Sequence, residues 1–142
     1  MKFRLFTAPA DATDWGLLLL RVGLGGLMFG NHGLLKLLRL GQETVQFYPF
    51  LGLDPRTSLW LAAVPEAMCS LIVVAGLATR WAILPLLIIL LVAIFGVLAG
   101  TPFAMRELAT VFLIGFSTLL ITGPGKFSLD AYRLRRRPAQ EE

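Results

Sequence analysis

Three side chains able to carry charge or exchange a proton, Arg21, His32 and Lys36, fall in one apolar, glycine-rich stretch: Arg21-Val-Gly-Leu-Gly-Gly-Leu-Met-Phe-Gly-Asn-His-Gly-Leu-Leu-Lys36. A charge in hydrocarbon is costly, so such residues face a protein interior or a cavity and mark a functional site. Histidine changes protonation near neutral pH, and lysine and arginine donate hydrogen bonds to carboxylates and carbonyls. Two carboxylates offer themselves as partners. Glu66 follows Pro65 in a second apolar stretch, and Glu107 opens a fourth. His32, Lys36, Glu66 and Glu107 therefore form a candidate binding cluster, with His32 and Glu66 as its candidate proton-handling groups.

Composition dictates what must position them. The chain has 142 residues, 56% hydrophobic and 15% charged, with a mean hydropathy of +0.74. Soluble domains carry about a quarter charged residues. The charges here lie mostly outside four apolar blocks, at about 15–35, 58–78, 81–99 and 106–122, each close to the length that crosses a bilayer. The pattern predicts an all-α, integral membrane four-helix bundle, one domain over 1–142, with a basic tail from Gly123 onward. The basic start breaks off at Pro9, Asp11 and Asp14, unlike a signal peptide, so the first span is expected to stay in the mature chain.

Leu37 to Pro55 mixes Arg39, Glu43 and Asp54 with Phe47, Tyr48 and Phe50. It reads as an amphipathic segment at the membrane surface, partly helical up to Pro49. Lys2, Arg4, Arg80, Lys126, Arg133, Arg135, Arg136 and Arg137 fall on one side of the layout, against Lys36, Arg39, Arg56 and Arg106 on the other. The positive-inside rule then predicts both termini in the cytoplasm. A single cysteine, Cys69, leaves no Cys-x-x-Cys redox pair, and one histidine leaves no bis-histidine haem or His-rich metal site from this chain alone. No metal, flavin or nucleotide fingerprint is present. The arginine-rich tail points to anionic lipid headgroups rather than nucleic acid.

Helical geometry refines the placement. Arg21 and His32 lie about 20° apart in azimuth and about 16 Å apart in depth, with Lys36 about 60° from Arg21. Gly23, Gly26, Gly30 and Gly33 form a stripe on nearly the opposite side, expected to pack closely on another helix or a second protomer. Glu66 falls in depth between Arg21 and His32, which predicts a structural Arg21–Glu66 ion pair. Plainer roles stand beside these. Arg21 can be a helix clamp, Lys36 an interfacial anchor, Cys69 a packing residue and Glu107 a surface charge. Ser128 can cap a short tail helix, and Asp130 can add charge to its first turn.

Arg21-x3-Gly25-x6-His32-Gly33-x2-Lys36 resembles the first-helix motif of the DoxX family. Pro65-Glu66 and Gly76-Leu-Ala-Thr-Arg80 resemble its second-helix glutamate and the turn after it. Gly123-Pro124-Gly125-Lys-Phe-Ser128-Leu-Asp130 resembles its terminal signature. The resemblance implies a four-helix membrane bundle in a bacterial-type cytoplasmic (inner) membrane. Because wider relatives include thiosulfate:quinone oxidoreductase subunits, it also implies redox chemistry with quinone as acceptor. In that reading His32 and Lys36 donate to a quinone, Glu66 relays its proton, and electrons come from a small molecule or a partner redox protein. A non-catalytic membrane anchor, alone or as a homo-oligomer, is the alternative. Passage or binding of a small solute is the third reading.

Overall fold

The computed structural model describes residues 10–136, so Lys2, Arg4 and Arg137 of the charge count lie outside it. Among the described residues all regular structure is helical, without strands. Four helical stretches are long and apolar enough to cross a membrane: Asp11–Arg39, Pro55–Ala75, Thr79–Val97 and Phe103–Thr122. The first comprises α1 (Ala10–Met28), a π-helical turn (Phe29–Gly33) and α2 (Leu34–Arg39). The second is α3 (Pro55–Ala75). The third is α4 (Thr79–Val92) and a second π turn (Ala93–Val97), and the fourth is α5 (Phe103–Thr122). A short α6 (Leu129–Arg136) follows.

Local sequence explains the ends. Asp54 caps α3 by accepting from the Thr57 backbone N–H at 2.9 Å, and the Thr57 hydroxyl together with this bond holds its carboxyl below the usual carboxylate range. Gly76 closes α3 in the left-handed conformation (φ 71°), with Leu77 N–H donating to Ile72 O at 3.1 Å. α3 continues across Pro65, which sits inside it. The expected helix up to Pro49 is absent. Turns at Leu40 and Gln42 end α2, and the chain runs on to a single 3-10 turn at Phe50–Gly52.

α3 packs along α1, α2 and α4, and α5 packs on α4 and on α1. The dense core of Met28, Val73, Ile83, Leu86, Phe116 and Leu119 occupies the half of the bundle nearer the tail. The other half opens into a cavity. Between helices in a bilayer, close packing rather than a hydrophobic drive holds the interface, so small residues matter where backbones meet.

Within one protomer the expected glycine stripe is corrected. A Cβ on Gly33 would meet Ala67 N at 2.6 Å, and one on Gly25 would meet Val74 Cγ2 at 2.7 Å, whereas Gly23, Gly26 and Gly30 meet nothing within 4 Å. The π turn supplies the reason. It spends one extra residue on a turn, so Gly33 is set back by about 100° and swings from the stripe onto the face that carries Arg21 and Gly25. Gly33→Ala is therefore expected to cost about 1–3 kcal/mol by overpacking against α3. Gly26→Ala is expected to be neutral or to gain up to about 1 kcal/mol. Thermal melts of the two variants in detergent check the difference; equal melts would refute this assignment of the packing face.

Candidate functional site

The motif residues of the first span share one face, laid along α3 in antiparallel register. Gly33 sits against the Glu66–Ala67 backbone, Gly25 against Ser70 and Val74, and the Arg21 guanidinium against Gly76. Glu66 is thus level with His32 and Gly33. Arg21 lies twelve residues earlier in its helix than Gly33, about 18 Å away along the axis. No arginine side chain spans that distance, so the Arg21–Glu66 ion pair does not form.

Arg21 is 2% exposed and binds elsewhere. Its Nη1 donates to Pro124 O at 2.9 Å and its Nη2 to Phe127 O at 2.8 Å. The rest of the Gly123–Asp130 signature is fastened to the same end. Asp14 accepts from Lys126 N–H at 3.0 Å and pairs with Lys126 Nζ at 3.0 Å, which raises the Lys126 ammonium above the usual lysine range. Ser128 Oγ accepts from Ala131 N–H at 3.1 Å and so caps α6 as expected. Asp130 does more than act locally. Its carboxylate accepts from Ala78 N–H at 2.7 Å and Thr79 N–H at 3.1 Å, capping α4 from across the sequence. Ala78 adopts a left-handed backbone (φ 43°), a conformation costly for a residue with Cβ, and the Asp130 contact holds it there. The signature is a structural lock between tail, first helix and the α3–α4 turn.

Glu66 finds a different partner. Lys36 Nζ lies 2.5 Å from Glu66 Oε1, with the two side chains 22% and 6% exposed. Lys36 also sits 5.8 Å from the Phe47 ring centroid. Glu66 Oε2 is buried without a hydrogen-bond partner. His32, on the π turn, meets Phe112 edge-on with ring centroids 5.6 Å apart. Single π turns recur at functional sites, and here both of them border the same space.

That space is a cavity of about 510 Å³. Met28, His32 and Lys36 line it from the first span, and Ser58, Ala62, Pro65 and Glu66 from α3. Pro85, Ile89, Val92 and Ala93 line it from the third span, and Ala109 and Phe112 from α5. Phe47, Tyr48 and Phe50 cover it from the segment between the first two spans. The volume falls in the usual range for small-molecule sites, and an apolar chamber with a few convergent polar groups is their usual character.

His32, Lys36 and Glu66 are thereby brought to one wall. Glu107 is not: it is exposed and does not line the cavity, because the α5 face turned inward is that of Ala109 and Phe112. Its assignment to the binding cluster is withdrawn. Cys69 packs half-buried against the core, the plainer of its roles. Two features escaped the sequence reading. The register of α3 on the first span was carried by Gly25 and Gly33, flanking the histidine. The covering role of Phe47, Tyr48 and Phe50 was signalled only by aromatics in a segment too polar to span.

Four membrane-length helices around this chamber define a multi-pass helical-bundle membrane protein. The chain belongs to the DoxX family, whose model matches residues 16–100. That range holds the Arg21–Lys36 motif, Pro65-Glu66 and the Gly76–Arg80 turn. No curated protein and no solved structure matches the chain.

Proposed function

We propose that this protein binds a quinone in the cavity beside His32, Lys36 and Glu66 and serves as the membrane subunit of a quinone-linked oxidoreductase. The observation that carries the reading is the pairing of Lys36 with Glu66 on one wall of a chamber otherwise lined almost wholly by apolar side chains. A quinone is an apolar ring with polar oxygens, and when bound it supplies acceptance of electrons with accompanying protons. Lys36 has ammonium protons beyond the one given to Glu66, and His32 can donate from its ring, so both can hold a ring oxygen. Glu66 is the group placed to hold or pass a proton, and its unpartnered Oε2 is a spare acceptor in the same wall. Cys69 is the lone thiol of the chain. Electrons therefore come from a partner protein or a small-molecule reductant. In this reading the tail side, carrying Arg80, Lys126, Arg133, Arg135 and Arg136, faces the cytoplasm of a bacterial-type inner membrane. The tail arginines rest on anionic headgroups.

The test is mass spectrometry of the lipids that co-purify with the protein in mild detergent. Quinone should be enriched over the bulk membrane extract and lost in His32→Ala, with the thermal melt unchanged. Quinone at its bulk abundance in the wild type would overturn the redox reading and leave the anchor role.

A further inference from the structure

We infer that the cavity is loaded sideways from the bilayer, between α3 and α4 past Leu61 and Ile88, and that its ligand keeps a hydrocarbon chain in that gap. The inference rests on the quinone reading and specifies the route and the part of the ligand that remains outside.

The loop end of the chamber is covered and fastened. Phe47, Tyr48 and Phe50 lie over it. Phe50 N–H donates to Ser58 Oγ at 3.0 Å, and Arg56 Nη2 donates to Gln42 O at 2.9 Å and Glu43 O at 3.2 Å. These bonds tie both ends of the covering segment to the first turn of α3. Opposite, the Met28, Leu86 and Phe116 core fills the tail half. The tail end is filled, and the loop end lies under a segment pinned at both of its ends.

The flank is different. Leu61 and Ile88 line the cavity, yet they are 50% and 60% exposed. Both lie in the interior of membrane-length helices, so their exposed surface meets lipid. They stand on neighbouring helices, as the two sides of a gap must. Each helix carries an internal proline that also lines the cavity, Pro65 on α3 and Pro85 on α4. Proline removes a backbone hydrogen bond and crowds the preceding turn, so the backbone of each helix is locally irregular beside the cavity. On α5, Met105 and Leu108 are also both lining and exposed, at 64% and 56%, but none of the first-span residues that line the cavity, Met28, His32 and Lys36, is exposed opposite them.

The bilayer also fixes what selects the ligand. Lipid tails are as apolar as the chamber, so moving an apolar chain from one to the other gains little. Recognition must come from the head at His32, Lys36 and Glu66, while a chain decides only the way in. Narrowing the gap should therefore act on chained ligands alone.

The experiment uses the full chain in phosphatidylcholine nanodiscs. It compares a quinone bearing an isoprenoid chain with the same ring lacking it, bound amounts being corrected with empty discs. Leu61→Trp and Ile88→Trp should each weaken the chained quinone about tenfold and leave the bare ring unchanged. Ile114→Trp, on the exposed side of α5 outside the cavity, should change neither. Equal losses for both ligands, no loss for either, or a chain-selective loss in Leu108→Trp as large as that in Leu61→Trp would each overturn the route. If the wild type binds neither ligand, the quinone reading itself falls.

Discussion

Arg21→Leu is expected to lower the stability of the detergent-solubilised bundle by about 3 kcal/mol, since it removes two charge-assisted hydrogen bonds worth about 1.5–3 kcal/mol each. The loss falls on the tail. Pro124 O and Phe127 O are left without their donor, and the Asp130 cap on α4 depends on the segment those carbonyls hold in place. The decisive feature is the lack of any relief from Glu66. Glu66→Gln in the same chain should add its own cost within about 0.5 kcal/mol, as expected of sites far apart that share no partner. Equilibrium unfolding of the two single variants and the double variant measures this. A coupling above about 1 kcal/mol would mean that the two charges meet after all.

The contrast between Arg21 and Lys36 divides the protein into two polar centres with separate work. At the tail end, buried charge is spent on backbone: Arg21 and Asp130 bind carbonyls and N–H groups of loops. Both Nη groups of Arg21 and both carboxylate oxygens of Asp130 are used in fixing chain to chain, which suits a lock, and only Arg21 Nε is left without a partner. In the loop half, Lys36 and Glu66 are fixed on each other at the edge of open space, with the second carboxylate oxygen of Glu66 left over. Dense packing lies next to the first centre and the cavity next to the second. Rigidity and binding room are thus segregated along the membrane normal.

This division marks how far the sequence could be read. Hydropathy gave four spans within a few residues, because a bilayer demands a long apolar run whatever the tertiary contacts. Azimuth was legible in part: of Arg21, His32 and Lys36, placed together on one face, Arg21 and Lys36 do meet α3 while His32 meets Phe112 of α5. Depth was not. The register of α3 against the first span is set by where two backbones can touch, at Gly25 and Gly33, and a helical count within one span holds no information about its neighbour. The misplaced register exchanged the partners, giving Glu66 to Arg21 instead of Lys36. The π turn was equally hidden, since nothing in Phe29-Gly-Asn-His-Gly33 departs from α-helical spacing, and it moved Gly33 from one face to another. Glu107 failed for a related reason. Its depth suited the cluster, while its azimuth on α5 did not.

The pair itself yields the other large effect. Lys36→Met should destabilise the bundle by about 3 kcal/mol or more, the usual cost of stranding one member of a buried pair. Glu66→Leu should cost less, because Lys36, the more exposed of the two, has a long stem that can carry its ammonium to water. The double variant Lys36→Met/Glu66→Leu should recover most of the stability, since an ion pair exchanged for apolar groups of similar size is often neutral in energy. Stability and binding then part company. If the pair only holds helices together, the restored double variant should co-purify with as much quinone as the wild type. If Lys36 and Glu66 hold the ligand head, the double variant should melt like the wild type and carry no more quinone than bulk lipid. Unfolding curves and lipid mass spectrometry on one preparation give both answers. A stable double variant that keeps its quinone would remove these two residues from the site and leave His32, Ser58 and Tyr48 as its polar lining.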